Sequence, residues 1–168
     1  GMDDMDLLYK RLMKDYVWGK MDEGTMHLDE KAQLVPQNLR SLFIQVADYY
    51  SNRGQNDTAT AVLDKCYASI PESLLPMNLR LKARSADIYY KAGQIEKGDK
   101  MLTEVGDDAY EMVTYYKKFK TKGLQNVESE KRENIEILRN LGPLANQYNR
   151  DDLAKKYTDL FTQASTIY

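Results

Sequence analysis

One pattern of large and small residues constrains the fold of this chain more than any other feature of its sequence. Its clearest copy consists of Phe43, Val46, Ala47, Tyr50, Gly54, Ala59, Leu63, Cys66 and Pro71. Small residues occupy the positions where two helices would touch, and large apolar residues follow one helical turn away on the same faces. Gly54 separates the two helical segments, and Pro71 ends the unit. The pattern predicts two helices joined by a short turn.

A second copy follows 39 residues further along the chain, where Gly93 takes the place of Gly54. The stretch ADYYSNRGQ at 47–55 corresponds to ADIYYKAGQ at 86–94. In the following segment Ala59, Leu63 and Cys66 correspond to Gly98, Leu102 and Val105. Because small positions stay small and large apolar ones stay apolar, the two copies predict two units of the same kind.

A third copy is partial. In it Leu141, Leu144, Ala145 and Tyr148 reproduce the spacing of Phe43, Val46, Ala47 and Tyr50. This alignment predicts a shorter turn at 149–152 and a last helix that carries Ala154, Tyr157 and Phe161. Tyr50, Tyr89 and Tyr148 are all predicted to pack between helices.

The pattern resembles that of tetratricopeptide repeats, whose ordinary unit has about 34 residues. The longer spacing here predicts an insertion at 71–76. The resemblance implies an all-α fold, in which helix-turn-helix repeats form a right-handed α-superhelix of about seven or eight helices. One domain, 1–168, is predicted. It would comprise an N-terminal helix and Trp-Gly turn at 1–28, repeat 1 at 36–71, repeat 2 at 75–110, and C-terminal helices with a degenerate repeat at 111–168.

Local signals place the helix boundaries. The first helix is predicted from Asp3 to about Val17, and the second from near Pro36 towards Arg53 with a cap at Asp29. The third is predicted from a cap at Asp57 to about Ile70. Further helices are predicted over about 74–92, 95–105, 107–122 and 126–149, and a last one from near Asp151. The residues at 105–108 are predicted to form a turn, and Gly142-Pro143 to kink or break the long helix. Tyr115, Tyr116, Phe119 and Met112 are predicted to form an apolar face that packs on that helix. No sustained alternation indicates a strand.

Composition excludes several classes of function. Hydrophobic residues make up 42% and charged residues 30% of the chain, and the formal net charge is −2 with both signs interspersed. This balance favours a folded domain and provides no basic field for nucleic acid. Apolar runs do not exceed three residues, which predicts no transmembrane helix and no signal peptide.

The sequence also lacks the signals of a catalytic or metal site. It contains one cysteine, Cys66, and one histidine, His27, which predicts no disulfide, no metal and no cofactor. Cys66 is expected to act as a small core residue. Phosphate-binding loops and nucleophile motifs are absent, and the acidic run at 128–136 alternates with basic residues as on a solvated face. The chain is therefore predicted not to be an enzyme. The alternative enzyme would need two carboxylates about 5–9.5 Å apart across a cleft.

A second resemblance begins outside the repeats. The segment YVWGKMD at 16–22 and the residues LDE at 28–30 precede ADYYSNRGQ and LDKCYASIP. This order is similar to the C-terminal region of a family of large bacterial membrane proteins whose multi-span N-terminal region resembles GT-C glycosyltransferases, such as protein O-mannosyltransferases. The resemblance covers roughly 7–110. It implies a soluble extracytoplasmic (periplasmic) domain tethered through a membrane region that would carry any glycosyl transfer. The alternative is a free-standing cytoplasmic repeat protein in which Trp18 only anchors helices.

The ligand of such a domain would be a protein or peptide, with the parent protein's own membrane region as one candidate, and not nucleic acid. By the tetratricopeptide resemblance, the inward face of the repeats comprises Ser41, Ile44, Gln45, Asp48, Asn52, Arg80, Arg84, Asp87 and Lys91. Family members that hold a C-terminal carboxylate place Lys and Asn where this chain has Ile44 and Asp48, which argues against that function. Two hypotheses remain for this face. It either mediates protein contacts or peptide binding, or it is filled by the chain's own N-terminal or 126–149 helix.

Overall fold

The computed structural model describes residues 2–16, 21–23, 29, 31–118 and 125–166. Seven α-helices occupy these residues, which contain no strand, so the predicted all-α class is confirmed. They are α1 (Met2–Lys10), α2 (Leu34–Ser51), α3 (Asn56–Ser69), α4 (Leu79–Lys91), α5 (Ile95–Lys118), α6 (Gln125–Gln147) and α7 (Asp151–Ser165). A π-helical turn (Arg11–Asp15) follows α1, and a 3-10 turn covers Met21–Glu23. The predicted superhelix remains a prediction.

The chain divides into two compact units, Gly1–Gln94 and Ile95–Tyr168. The first contains α1 to α4, and the second contains α5 to α7. Repeat 2, predicted at 75–110, has its first helix in one unit and its second helix in the other. The pairing of those two helices therefore remains a prediction.

In the first unit, α2 and α3 form a helical pair around the residues of the first copy. Phe43, Val46 and Ala47 from α2 are completely buried, as are Ala59, Leu63 and Cys66 from α3. Gly54 has a φ of +72°, and Gln55 N–H donates to the Tyr50 carbonyl at 3.0 Å. Glycine adopts this left-handed conformation without steric cost, which lets the chain reverse within a few residues.

The same turn occurs twice more. Gly93 has a φ of +73°, and Gln94 N–H donates to the Tyr89 carbonyl at 2.9 Å. At the third site Asn149 has a φ of +56°, and Arg150 N–H donates to the Ala145 carbonyl at 3.0 Å. Asparagine tolerates this conformation better than most other residues with a side chain.

The third turn corrects the alignment of the partial copy. Its hydrogen bond places Ala145, not Tyr148, in the position of Tyr50, so the predicted alignment is wrong by three residues and the turn is not shorter. Gly142 then corresponds to Ala47. A Cβ atom at Gly142 would lie 2.7 Å from Oγ1 of Thr158 and 3.3 Å from the Ala154 carbonyl oxygen, which explains the need for a small residue. A shift of three residues nearly preserves a helical apolar face, so spacing alone did not fix the register.

A close contact explains why α5 is continuous. The predicted turn at 105–108 is wrong, because the helix runs from Ile95 through Gly106 to Lys118. A Cβ atom at Gly106 would lie only 2.0 Å from Cε1 of Tyr157, which is itself completely buried. Glycine is required here by the aromatic ring and does not end the helix. The residues 119–124, with Phe119, lie outside the described part of the chain.

Three further expectations need correction. The long helix does not break at Pro143, since α6 continues to Gln147 with Leu141 and Ala145 buried on either side of the proline. The helix predicted from about 74 begins at Leu79, because the Asn78 side chain caps it by accepting hydrogen bonds from Arg80 N–H and Leu81 N–H. Helix α3 begins at Asn56, which places Asp57 in its first turn instead of at its cap.

The apolar face predicted on α5 does not pack as a whole against α6. Met112 is 37% exposed and Tyr115 is 50% exposed, while the Tyr116 hydroxyl donates a hydrogen bond to Glu130 of α6. This contact raises the pKa of Tyr116 to about 12, because the carboxylate favours the protonated phenol. The contact of Tyr116 with α6 is therefore polar.

Candidate interaction surface

The predicted inward face lies on two neighbouring helices of the first unit, α2 and α4. Its residues differ in exposure. Gln45, Asn52, Arg80 and Arg84 are exposed, Ser41, Asp48 and Lys91 are half-buried, and Ile44 and Asp87 are buried. Ile44 therefore contributes to the core, and the remaining polar side chains form the surface. We call these residues of α2 and α4, without Ile44, the α2–α4 surface.

A chain of ion pairs crosses this surface. Arg84 of α4 contacts Asp48 of α2, and its Nη1 lies 2.9 Å from Oδ2 of Asp87. Lys91 Nζ lies 3.0 Å from the same Asp87 oxygen. The ion pair between exposed Arg84 and Asp48 contributes little to stability, on the order of 0–1 kcal/mol. Asp87 is 7% exposed, and the charges of Arg84 and Lys91 compensate the charge of its carboxylate.

In the part of the chain that the structure describes, the N-terminal helix α1 leaves the exposed residues of the α2–α4 surface uncovered. Helix α1 packs against α2 through Tyr50, which is not one of the candidate residues. The Tyr50 hydroxyl donates to Asp6 Oδ1 at 2.7 Å, and the Tyr9 and Tyr50 rings meet edge to face at 5.2 Å. Burial and this hydrogen bond raise the pKa of Tyr50 to about 12. The exposed candidate residues, Gln45, Asn52, Arg80 and Arg84, keep their access to solvent.

A cavity of about 620 Å³ adjoins the surface at the beginning of both helices. It is lined by Gln37, Asn38, Arg40, Ser41, Pro76, Met77, Asn78, Arg80 and Leu81. Sequence reasoning identified only Ser41 and Arg80 among them. Arg40 was missed, although it stands three residues before Phe43 on the apolar face of α2. A charged residue at such a position is the signal that could have revealed it.

Arg40 is 1% exposed and is held at the end of α3. Its Nη2 donates to the Ile70 carbonyl at 2.8 Å and to the Pro71 carbonyl at 3.3 Å. Its Nε and Nη1 atoms are buried and have no acceptor among the described residues. Burial lowers the pKa of Arg40 from its ordinary value, although the guanidinium remains a cation at neutral pH.

Cys66 lies near this arginine but is not a nucleophile. It is completely buried on α3, as expected for a core residue. Burial raises the pKa of its thiol to about 12, against the opposing effect of the Arg40 charge. The thiolate is the reactive form, so Cys66 is inert in the folded protein at neutral pH.

We expect folded protein at pH 8 to resist alkylation of Cys66 by iodoacetamide and to react once urea unfolds it. A Cys66→Ala variant that carries a new exposed thiol, Ala61→Cys, is the control and should react at once. The Cys66 thiol loses its proton at a higher pH in the folded protein than in the unfolded chain. The stability that depends on the protonated thiol is therefore complete below pH 9.0 and is lost as the pH rises towards 12. Rapid labelling of the native wild type would contradict the burial of this residue.

The described ranges contain no group of three or more His, Cys, Asp or Glu residues that could hold a metal ion. His27, and the Trp18-Gly19 element with it, lie outside these ranges. Among the helices that the structure describes, none is both long and apolar enough to cross a membrane. No family model, no curated protein and no solved structure matches this chain.

Proposed function

We propose that this chain is a non-catalytic helical-repeat domain that binds a protein segment along the α2–α4 surface. The observation that carries the proposal is the position of the candidate residues. Residues chosen from repeat spacing lie on two adjacent helices, and Gln45, Asn52, Arg80 and Arg84 among them remain exposed.

The chemistry of the surface favours a polypeptide ligand. Gln45 and Asn52 offer amide groups that can both donate and accept, as the backbone of a peptide requires. The charges of Asp48, Arg84, Asp87 and Lys91 balance each other within the surface. A surface with mixed charges and exposed amides suits a peptide better than a phosphate backbone, which needs a basic field.

A bulky side chain at Gln45 tests the proposal. Peptides selected from a random display library on the folded protein are expected to lose at least about tenfold in affinity for Gln45→Trp, because the indole fills the ligand path. The protein itself should remain folded, since Gln45 is exposed and most surface substitutions change stability by less than about 0.5 kcal/mol.

The matched control is Ala61→Trp, which places the same side chain on an exposed position of α3. It should leave the affinity of the selected peptides unchanged. Equal loss in both variants, or selected peptides that bind both as tightly as wild type, would contradict the assignment of the ligand to α2 and α4.

The segment 16–22 supports a more specific form of the proposal. Its resemblance to the C-terminal region of GT-C-like membrane proteins suggests that the occupant is the parent protein's own membrane region, on the extracytoplasmic side. The alternative is a free-standing adaptor that binds peptides of other proteins. The coding sequence upstream of Met2 separates them, because a series of hydrophobic spans in frame supports the first and an in-frame stop codon supports the second.

A further inference from the structure

The connection between α3 and α4, residues 70–78, contains the predicted insertion and forms one wall of the cavity. Pro76, Met77 and Asn78 of this α3–α4 connection line the cavity together with side chains from the beginning of α2 and α4. Repeat units of ordinary length have about 34 residues, whereas the two copies here are 39 residues apart. The wall is therefore a feature of this chain that the ordinary repeat lacks.

Buried cations hold the α3–α4 connection in place. The Nη2 atom of Arg40 donates to the carbonyl oxygens of Ile70 and Pro71. Nζ of Lys82, a residue that is 3% exposed, lies 2.8 Å from Oε2 of Glu72. Opening either contact would leave a buried cation without compensation, which is unfavourable. The wall is therefore formed before a ligand arrives, and this lowers the entropy cost of binding.

Part of the cavity lining is apolar. Met77 is 5% exposed, and the Tyr67 hydroxyl donates a hydrogen bond to its sulfur at 3.3 Å. Pro76, which is exposed, and Leu81 of α4, which is half-buried, add further apolar surface. Methionine is unbranched and polarisable, so it adapts to apolar partners of different shapes. This part of the lining suits an apolar side chain.

The polar part of the lining suits a neutral ligand. The Arg40 guanidinium is used by two backbone carbonyl groups, and its Nε and Nη1 atoms are buried, so a ligand does not reach its charge. Gln37 and Asn38 are exposed amides, which donate to and accept from a peptide backbone. Arg80 is the exposed charged residue of the lining, and it makes a further interaction within the chain.

We propose that this cavity anchors a leucine-sized apolar side chain of the protein segment that occupies the α2–α4 surface. The inference rests on the proposed function and adds the chemistry of the anchor residue. Ser41 and Arg80 belong both to the cavity lining and to the α2–α4 surface, so one segment reaches both. The cavity volume of about 620 Å³ lies within the range of ordinary ligand pockets. It accommodates a leucine side chain with the peptide groups on either side.

Nuclear magnetic resonance of the chain, labelled in its methionine methyl groups and side-chain amides, is the test. The probes are N-acetyl-leucine amide, N-acetyl-glycine amide and the α-amide of N-acetyl-aspartic acid. The leucine probe is expected to shift the Met77 methyl resonance and the side-chain amides of Gln37 and Asn38, and these shifts should saturate. The glycine probe lacks an apolar side chain, and the aspartate probe would place a charge against apolar groups, so neither should do this.

Met112 provides an internal control, because its side chain is 37% exposed and belongs to the second unit. Its methyl resonance should stay unchanged with the leucine probe. Equal shifts at Met77 and Met112 would indicate unspecific apolar association and would overturn the site. Absence of any shift at Met77 with the leucine probe, or an equal or larger shift with the glycine or aspartate probe, would overturn it as well.

A variant that fills the cavity tests its position. Asn38→Trp introduces an indole at an exposed residue of the lining, and we expect it to weaken binding of the leucine probe at least about tenfold. Ala61→Trp introduces the same side chain at an exposed position of α3 that does not line the cavity, and it should bind as the wild type does. Equal weakening in both variants, or wild-type binding in both, argues against this cavity.

Peptides selected by display separate this inference from the proposed function. Selected peptides that lose affinity for both Gln45→Trp and Asn38→Trp, and that bind less tightly once their apolar residue is replaced by glycine, support the anchor. Peptides that Gln45→Trp blocks and that Asn38→Trp binds normally would remove the anchor and leave the proposed function intact. If Gln45→Trp blocks no selected peptide, the proposed function fails, and the anchor fails with it.

Discussion

Replacing Ala47 with tryptophan is expected to unfold the first unit. Ala47 on α2 and Ala59 on α3 are both completely buried within the helical pair. Even a few extra methylene groups in a packed core cost about 1–3 kcal/mol, and an indole adds far more volume than that. Because whole domains are stable by only about 5–15 kcal/mol, the variant should lose its cooperative transition or unfold at much lower urea. Circular dichroism during urea titration measures this.

The Gln45→Trp variant is the matched control for that experiment. Gln45 lies on the same helix only two residues away but is exposed, so the same indole should leave the urea midpoint nearly unchanged. A wild-type midpoint for Ala47→Trp would show that α2 and α3 do not pack through this position.

Replacing Gly106 with alanine is expected to destabilise the second unit, although alanine ordinarily favours a helix over glycine by about 1 kcal/mol. The new Cβ would lie 2.0 Å from Cε1 and 2.6 Å from Cδ1 of Tyr157. The ring is completely buried and has little room to move. We expect overpacking to outweigh helix propensity, with a net loss of roughly 1–3 kcal/mol or more in the free energy of unfolding.

A double-mutant cycle with Tyr157→Leu identifies the cause of the loss. Leucine removes the ring atoms that would collide, so Gly106→Ala should cost much less in this background, or should even stabilise it as helix propensity predicts. Residues in direct contact show such non-additivity, whereas distant ones do not. An equal loss in both backgrounds would mean that Gly106 is required for a reason other than the ring.

The two glycine turns show what local chemistry can determine. Gly54 and Gly93 were predicted from sequence to separate helices, and both adopt positive φ values at helix ends. The prediction succeeds because a residue without Cβ is the default solution for a left-handed helix terminus. Gly106 and Gly142 are also glycines, but they lie inside helices. Their role depends on Tyr157 for Gly106 and on Thr158 and Ala154 for Gly142, all of which are distant in sequence.

The sequence likewise predicted only some properties of the α2–α4 surface. The tetratricopeptide resemblance implied one face for Asp48, Arg84 and Asp87, and the structure brings these three residues into one chain of ion pairs. Spacing did not reveal that Asp87 is nearly buried or that Arg40 lies within the core. These properties depend on which carbonyls and cations the neighbouring helices supply.

The sequence by itself determined the helical class of this protein, the apolar and small faces of α2 and α3, and the turns at Gly54 and Gly93. These follow from interactions within one or two helical turns. Only the tertiary structure decided the register of the third turn, the continuity of α5 through Gly106 and the buried environment of Arg40. A helical period repeats every few residues and leaves such choices open, and contacts between helices select one of them.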